Sequence, residues 1–157
     1  MDTFQTIAEI AATFVGLAGI VVAVSTKGDQ YSHDNTLLGI FAAALGALFF
    51  ALFPELLIGR FPESDNDWRL VCGIFGVVHL ILAAPAAFRS STRTTEELVL
   101  VVLSQPSIWL KITVGAGFLV EHSYQIYLFG LMWMLGVSMF YFVRYVLRLS
   151  GQIGGDA

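Results

Sequence analysis

The stretch TLLGIFAAALGALFFALFPELLI, residues 36–58, decides the fold of this chain. It has one charged residue, Glu55, in 23 positions. An α-helix needs about 20 apolar residues to cross the hydrocarbon core of a bilayer, which is roughly 30 Å thick. The stretch therefore predicts a transmembrane helix.

The composition of the whole chain agrees with this interpretation. Of its 157 residues, 57% are hydrophobic and 13% are charged, and the mean hydropathy is +0.77. Soluble domains contain about 45–50% apolar and about 25% charged residues, and so few charges cannot cover a water-facing surface. We expect membrane lipids to be the solvent for much of this protein.

Four further apolar segments lie before and after residues 36–58 in the sequence. Three of them are predicted to span the membrane, at residues 7–24, 68–88 and 124–149. The remaining segment, 98–120, is predicted to be a helix broken near Pro106, because proline and glycine interrupt it. We predict an all-α fold, a single domain of five transmembrane helices over residues 1–150 with a flexible tail at 151–157.

The basic residues of the connecting segments predict the orientation, because cytoplasmic loops are enriched in Lys and Arg. With five spans, Arg60 and Arg69 fall on one side, and the other side collects Lys27, Arg89, Arg93, Arg144 and Arg148. If 98–120 were re-entrant, the count would be four against four. The bias favours five spans in a plasma membrane of the bacterial inner-membrane type, with the N-terminus outside and the C-terminus cytoplasmic.

Glu9 lies in the first predicted span, on a helical face that also carries Ala12, Thr13 and Gly16. Small residues let helices approach closely, so this face is expected to pack against another helix or to line a polar seam. The alternative is that Glu9 lies near the membrane surface, stabilises the helix N-terminus and reaches water.

Glu55 follows a similar stripe in the second span, formed by Ala43, Ala47 and Ala51 at four-residue spacing. It is expected to lie on this packing face, or else at the membrane interface, which a helix starting near residue 35 reaches after about 20 residues. In the five-span topology Glu9 and Glu55 come to the same outer level. An oligomer would then form an acidic ring suited to cations.

Lys111 lies in the interrupted fourth segment and shares a helical face with Ser107 and Gly115. An ionisable residue at the centre of a span costs about 2.5–3.5 kcal/mol and calls for a partner. We expect an ion pair with Glu9 or Glu55. The alternatives are a purely structural buried pair and a lysine that snorkels from lipid.

His79 lies near the centre of the third span, on a face with Cys72 and Gly76. It is a candidate for relaying a proton or for gating by pH, because histidine titrates near neutral pH. The alternative is a hydrogen bond to a neighbouring helix. Gly76 is expected to be a helix-packing residue, as are Ala12, Gly16, Ala43, Ala47 and Ala51.

Several classes of function lack their motifs. The chain has no HExxH, no GxSxG and no glycine-rich phosphate loop, so we expect no enzymatic activity. Cys72 is the only cysteine, which excludes a paired-cysteine metal motif, and His79 and His122 differ in predicted depth, which argues against haem. We expect no metal and no cofactor. No Lys/Arg run is present to bind nucleic acid.

The leading functional hypothesis is a homo-oligomeric ion channel or transporter subunit that conducts a cation. Glu9 and Glu55 would attract the cation, and Lys111 would be their counter-charge. The alternative is an accessory or scaffold subunit that binds a larger membrane protein and has no transport activity of its own.

Overall fold

A computed structural model describes residues 2–25, 35–88 and 95–153. These residues form five α-helices and one short 3₁₀ helix. In chain order they are α1 (Asp2–Ser25), α2 (Asn35–Ile58), α3 (Asp65–Phe88), α4 (Thr95–Gly115), the 3₁₀ helix (Val120–His122) and α5 (Ser123–Ile153). The prediction of an all-α fold is confirmed.

In the described part of the chain, five helical segments are long and apolar enough to cross a membrane: Thr3–Ile20, Gly39–Ile58, Asp65–Ala83, Leu98–Gly115 and Val120–Leu147. Large apolar side chains cover much of their outer surface, and Leu56 and Leu147 are 69% and 65% exposed. Such a surface is stable in lipid and not in water, so the helices indicate a membrane location.

The predicted orientation depends on residues that the structure does not describe. Lys27, Arg89 and Arg93 lie outside the described residues, so the side of each terminus stays a prediction. Residues 154–157 of the predicted tail also lie outside them, whereas its first three residues belong to α5, which ends at Ile153.

The fourth segment is helical through Pro106. α4 is continuous from Thr95 to Gly115, so a break near Pro106 is not observed. Proline has no backbone N–H, so the Val102 carbonyl oxygen four residues earlier receives no bond from it, and the side chains beside Pro106 bond to the neighbouring carbonyl group. Ser104 Oγ and Gln105 Nε2 both donate to the Val101 carbonyl oxygen, at 2.8 and 3.4 Å.

The interruption lies instead after the end of α4. Gly117 and Leu119 have φ angles of 98° and 55°, which belong to the left-handed region and stop a helix. Arg69 Nε of α3 donates to the Gly115 carbonyl oxygen at 3.1 Å and so satisfies one end of α4. A Cβ at Gly117 would lie 3.1 Å from Arg69 Cζ, so glycine leaves room for this cap.

The described helices contribute to two compact units, Met1–Ala51 with Met134–Ala157, and Leu52–Trp133. The prediction of a single domain stays a prediction. In the first unit, Ala18, Ile40 and Tyr145 form a buried cluster that joins α1, α2 and the C-terminal part of α5. Ser138 Oγ of α5 donates to the Ile40 carbonyl oxygen at 3.2 Å.

In the second unit, α3 and α4 pack closely because glycines face each other. A Cβ on Gly115 would come within 2.6 Å of Gly73 Cα, so no side chain fits between the two backbones. Gly76, one turn further along α3, would place a Cβ 3.0 Å from Lys111 Cβ. As the residue numbers rise along α3, those of the contacting residues fall along α4, so the two helices pack antiparallel in a fixed register.

Gly115→Ala is expected to destabilise the protein by about 1–3 kcal/mol, because the added methyl group forces two backbones apart. The measurement is the midpoint of thermal unfolding in detergent. Gly19→Ala is the matched control, since a Cβ there meets nothing within 4 Å. A Gly115→Ala midpoint equal to that of Gly19→Ala would contradict the close approach.

Candidate functional site

Lys111 is wholly buried, with 0% of its surface exposed. Its Nζ lies 2.8 Å from His79 Nδ1, 3.2 Å from Ser107 Oγ and 3.8 Å from the centre of the Phe75 ring. An ammonium group has three N–H donors, and here they meet a nitrogen, an oxygen and an aromatic face. We call these four residues the Lys111 cluster; it is a complete site for one protonated amine.

Helical spacing assembles the cluster from two helices. On α3, Phe75 and His79 are four residues apart and share one face with Gly76. On α4, Ser107 and Lys111 are also four residues apart. The Phe75 and His79 rings stack, with their centres 5.9 Å apart and their planes at 15°, so the imidazole is held in one orientation.

Helix α5 completes the cluster with a glycine. A Cβ on Gly130 would lie 2.9 Å from Lys111 Nζ and 3.0 Å from Phe75 Cε1, so any side chain there would push the ammonium group away. One turn earlier, the Tyr127 ring packs edge-on against Phe75, with the ring centres 5.1 Å apart. Trp68 extends this aromatic contact, with its ring centre 5.7 Å from that of Tyr127.

The Lys111 side chain extends away from the nearer end of its helix. Lys111 precedes Gly115, the last residue of α4, by four residues, or about 6 Å of helix. Its Nζ bonds to Ser107, one turn back toward the helix interior, and to His79. A snorkelling lysine extends in the opposite direction, toward the interface. The ammonium group is thus held inside the span.

Among the described residues of the second unit, no carboxylate lies within ion-pair distance of Lys111. The ion pairs described there join Arg60 to Glu63 at 3.2 Å and to Asp67 at 3.0 Å. The expected pair between Lys111 and Glu55 is therefore not formed, because the lysine donors already have their three partners and Glu55 is exposed. Glu9 belongs to the other unit, and its pairing with Lys111 stays a prediction.

The Lys111 and His79 nitrogens can share one proton. Two protonated bases 2.8 Å apart would repel, so the pair carries at most one positive charge. When the Lys111 amine is protonated, it donates to His79 Nδ1, and the imidazole carries its hydrogen on Nε2. When the amine is neutral, the imidazole carries its hydrogen on Nδ1 and donates it to Lys111 Nζ. Both states use the same heavy-atom geometry.

Glu9 lies on an exposed face of α1. Gln5 Nε2 donates to Glu9 Oε1 at 3.1 Å, and Thr13 Oγ1 donates to the Glu9 carbonyl oxygen at 2.8 Å. Ala12 and Gly16 are exposed on the same helix. This face is therefore polar and lined by small residues, and it is open in the structure.

The alanine stripe of α2 is mostly inside the first unit. Ala47 and Ala51 are buried and Ala43 is half-buried, whereas Glu55 is exposed. Gly76 of α3 is buried against α4. Among the sequence-predicted residues, the structure thus brings together Lys111, His79 and Gly76.

The sequence did not single out Phe75 or Gly130 as part of a site, nor the pairing of His79 with Lys111. The available signal was the pattern of glycines at 73, 76 and 115, which permits close packing of α3 on α4. Comparison with known proteins does not add a relative: no family model, no curated protein and no solved structure matches the chain.

Proposed function

We propose that this protein is a subunit of a homo-oligomeric membrane channel or transporter that moves a cation. The observation that carries the proposal is the burial of Lys111 in a candidate span, hydrogen-bonded to His79 and Ser107. Ionisable groups inside spans are costly and are typical of ion pathways and proton relays. Apolar residues of similar volume would hold α3 and α4 together at lower cost.

Two exposed carboxylates support a pathway between copies of the chain. Glu9 and Glu55 lie in the candidate spans Thr3–Ile20 and Gly39–Ile58, and both are exposed. A carboxylate facing lipid is unfavourable, whereas a hydrated seam of a symmetric oligomer solvates it and attracts cations.

We further propose a plasma-membrane location with a cytoplasmic C-terminus, on the distribution of Lys and Arg in the loops.

Replacing both carboxylates is expected to lower cation flux. In the double variant Glu9→Gln, Glu55→Gln, purified and reconstituted in vesicles, flux should fall roughly 10-fold because the local cation concentration falls. Glu63→Gln is the matched control, because this carboxylate pairs with Arg60 in the loop outside the candidate spans. Cation flux at the wild-type level in the double variant would show that neither glutamate contributes to the pathway.

The alternative is a scaffold subunit that docks on a larger membrane protein. The observation that favours it is the open face of α1, where a Cβ on Gly16 or Gly19 would meet nothing within 4 Å. Such a face suits close helix packing. A purified chain that conducts no ion and stays in a stable complex with another membrane protein after mild detergent extraction would support this function.

A further inference from the structure

We infer that the cation handled by this protein is the proton, that Lys111 stores it, and that His79 is the residue through which it enters and leaves. This inference rests on the proposed function and deepens it. It concerns the Lys111 cluster alone and needs no contribution from Glu9 or Glu55.

The cluster favours a proton over a metal cation. A metal ion needs several oxygen or nitrogen ligands free to coordinate it. Here His79 Nδ1 and Ser107 Oγ already face the Lys111 amine, and among the described residues no carboxylate joins them. Two basic nitrogens 2.8 Å apart can exchange a proton without movement of heavy atoms.

His79 is the exchange point because it is less enclosed than Lys111. Lys111 is 0% exposed and each of its N–H donors faces an acceptor, whereas His79 is only half-buried. When Nδ1 accepts from the amine, the imidazole hydrogen is on Nε2, and none of the described side chains accepts it. Within the cluster, Nε2–H is thus the group left to meet water or another proton carrier.

The loading step conserves protons and breaks no bond to carbon. A proton from water binds the lone pair of Nε2 while Nδ1–H donates to the neutral Lys111 amine, and His79 becomes an imidazolium. The Nδ1 proton then moves to Nζ. The product is an ammonium group and a neutral imidazole with its hydrogen on Nε2, and unloading is the reverse.

Two other titratable side chains face this cluster, Cys72 from α3 and Tyr127 from α5, and both are buried. A thiol and a phenol are neutral near pH 7 by their ordinary behaviour. The charge of the cluster therefore alternates between zero and one through Lys111 and His79 only.

The test uses the full chain in proteoliposomes. In the proton assay, pyranine inside the vesicles reports proton entry under a pH gradient, while equal K⁺ on both sides and valinomycin hold the membrane potential at zero. In a parallel assay, Na⁺ and Rb⁺ uptake is measured at equal pH without valinomycin. His79→Asn keeps an acceptor near the Nδ1 position but cannot pass a proton. We expect proton flux about 100-fold below wild type.

Ser104→Ala is the matched control, since it removes a hydroxyl group from α4 that bonds to Val101 and not to the cluster. His79→Gly with added imidazole keeps the test decisive if His79→Asn is poorly folded. Rescue of proton flux by imidazole, with flux unchanged in Ser104→Ala, supports the inference.

The outcomes separate the inference from the function on which it rests. Na⁺ or Rb⁺ flux without proton flux overturns the proton assignment and leaves a cation channel or transporter. Flux of no cation overturns the proposed function itself. Proton flux at the wild-type level in folded His79→Asn overturns the role of His79.

Discussion

Replacing Lys111 with Met is expected to lower proton flux about 100-fold while leaving thermal stability equal or higher. Flux is lost because methionine cannot hold a proton. Stability is kept because methionine fills a similar volume, and exchanging a buried charge for an apolar group is often neutral or stabilising by about 1–4 kcal/mol. The two measurements are pyranine-detected proton flux and the thermal unfolding midpoint in the same detergent.

Two further variants make this result specific. Leu110→Met introduces the same residue at the preceding position and is expected to keep wild-type flux. Lys111→Arg keeps the positive charge but cannot release its proton, so it should lose flux as Lys111→Met does. A folded Lys111→Met protein with normal flux would show that the lysine is structural, and one that fails to fold would contradict the expected stability.

Gly130→Ala is expected to destabilise the protein by about 1–3 kcal/mol, although Gly→Ala within a helix normally stabilises it by up to about 1 kcal/mol. The added methyl group would lie 2.9 Å from Lys111 Nζ and 3.0 Å from Phe75 Cε1, so the lysine would have to leave His79. Proton flux should fall together with the unfolding midpoint.

Gly136→Ala is the control on the same helix, because a Cβ there meets nothing within 4 Å. It should raise the midpoint or leave it unchanged. Gly130→Ala should lower the unfolding midpoint less in a Lys111→Met background, since methionine ends short of the Nζ position. This double-mutant cycle measures the coupling between positions 130 and 111. If Gly130→Ala lowers the midpoint equally in both backgrounds, the destabilisation comes from the contact with Phe75.

The helices themselves could be predicted from sequence because lipid imposes a length and a composition on every span. The predicted segment 36–58 became α2, Asn35–Ile58, and 68–88 became the larger part of α3, Asp65–Phe88. The length of an apolar run is a property of one segment, so it predicts a span without knowledge of which helices are neighbours.

The site could be predicted only as separate residues. The sequence indicates Lys111 as a costly residue inside a span and His79 as a candidate proton relay, but their pairing depends on the register of α3 against α4. The contact of Gly73 with Gly115 sets this register. That contact joins residues 42 positions apart, a separation that periodicity within one helix does not reveal. Of the two carboxylates expected to pair with Lys111, Glu55 does not pair with it, and the pairing with Glu9 stays a prediction.

Pro106 shows a second limit of local patterns. Proline is a helix breaker in water, yet α4 continues through it, and the chain turns eleven residues later, where Gly117 and then Leu119 adopt left-handed conformations. In lipid the backbone has no water to bond, so a segment that loses one hydrogen bond at a proline keeps its remaining backbone bonds by staying helical.

The length of the last apolar segment makes bilayer thickness a variable for this protein. Val120–Leu147 has 28 residues, and as a helix it extends about 42 Å against a hydrocarbon core of roughly 30 Å. A segment too long for its bilayer tilts, or the lipids around it stretch. Vesicles of longer-chain lipids should therefore relieve this hydrophobic mismatch, and α5 would stand closer to the membrane normal in them.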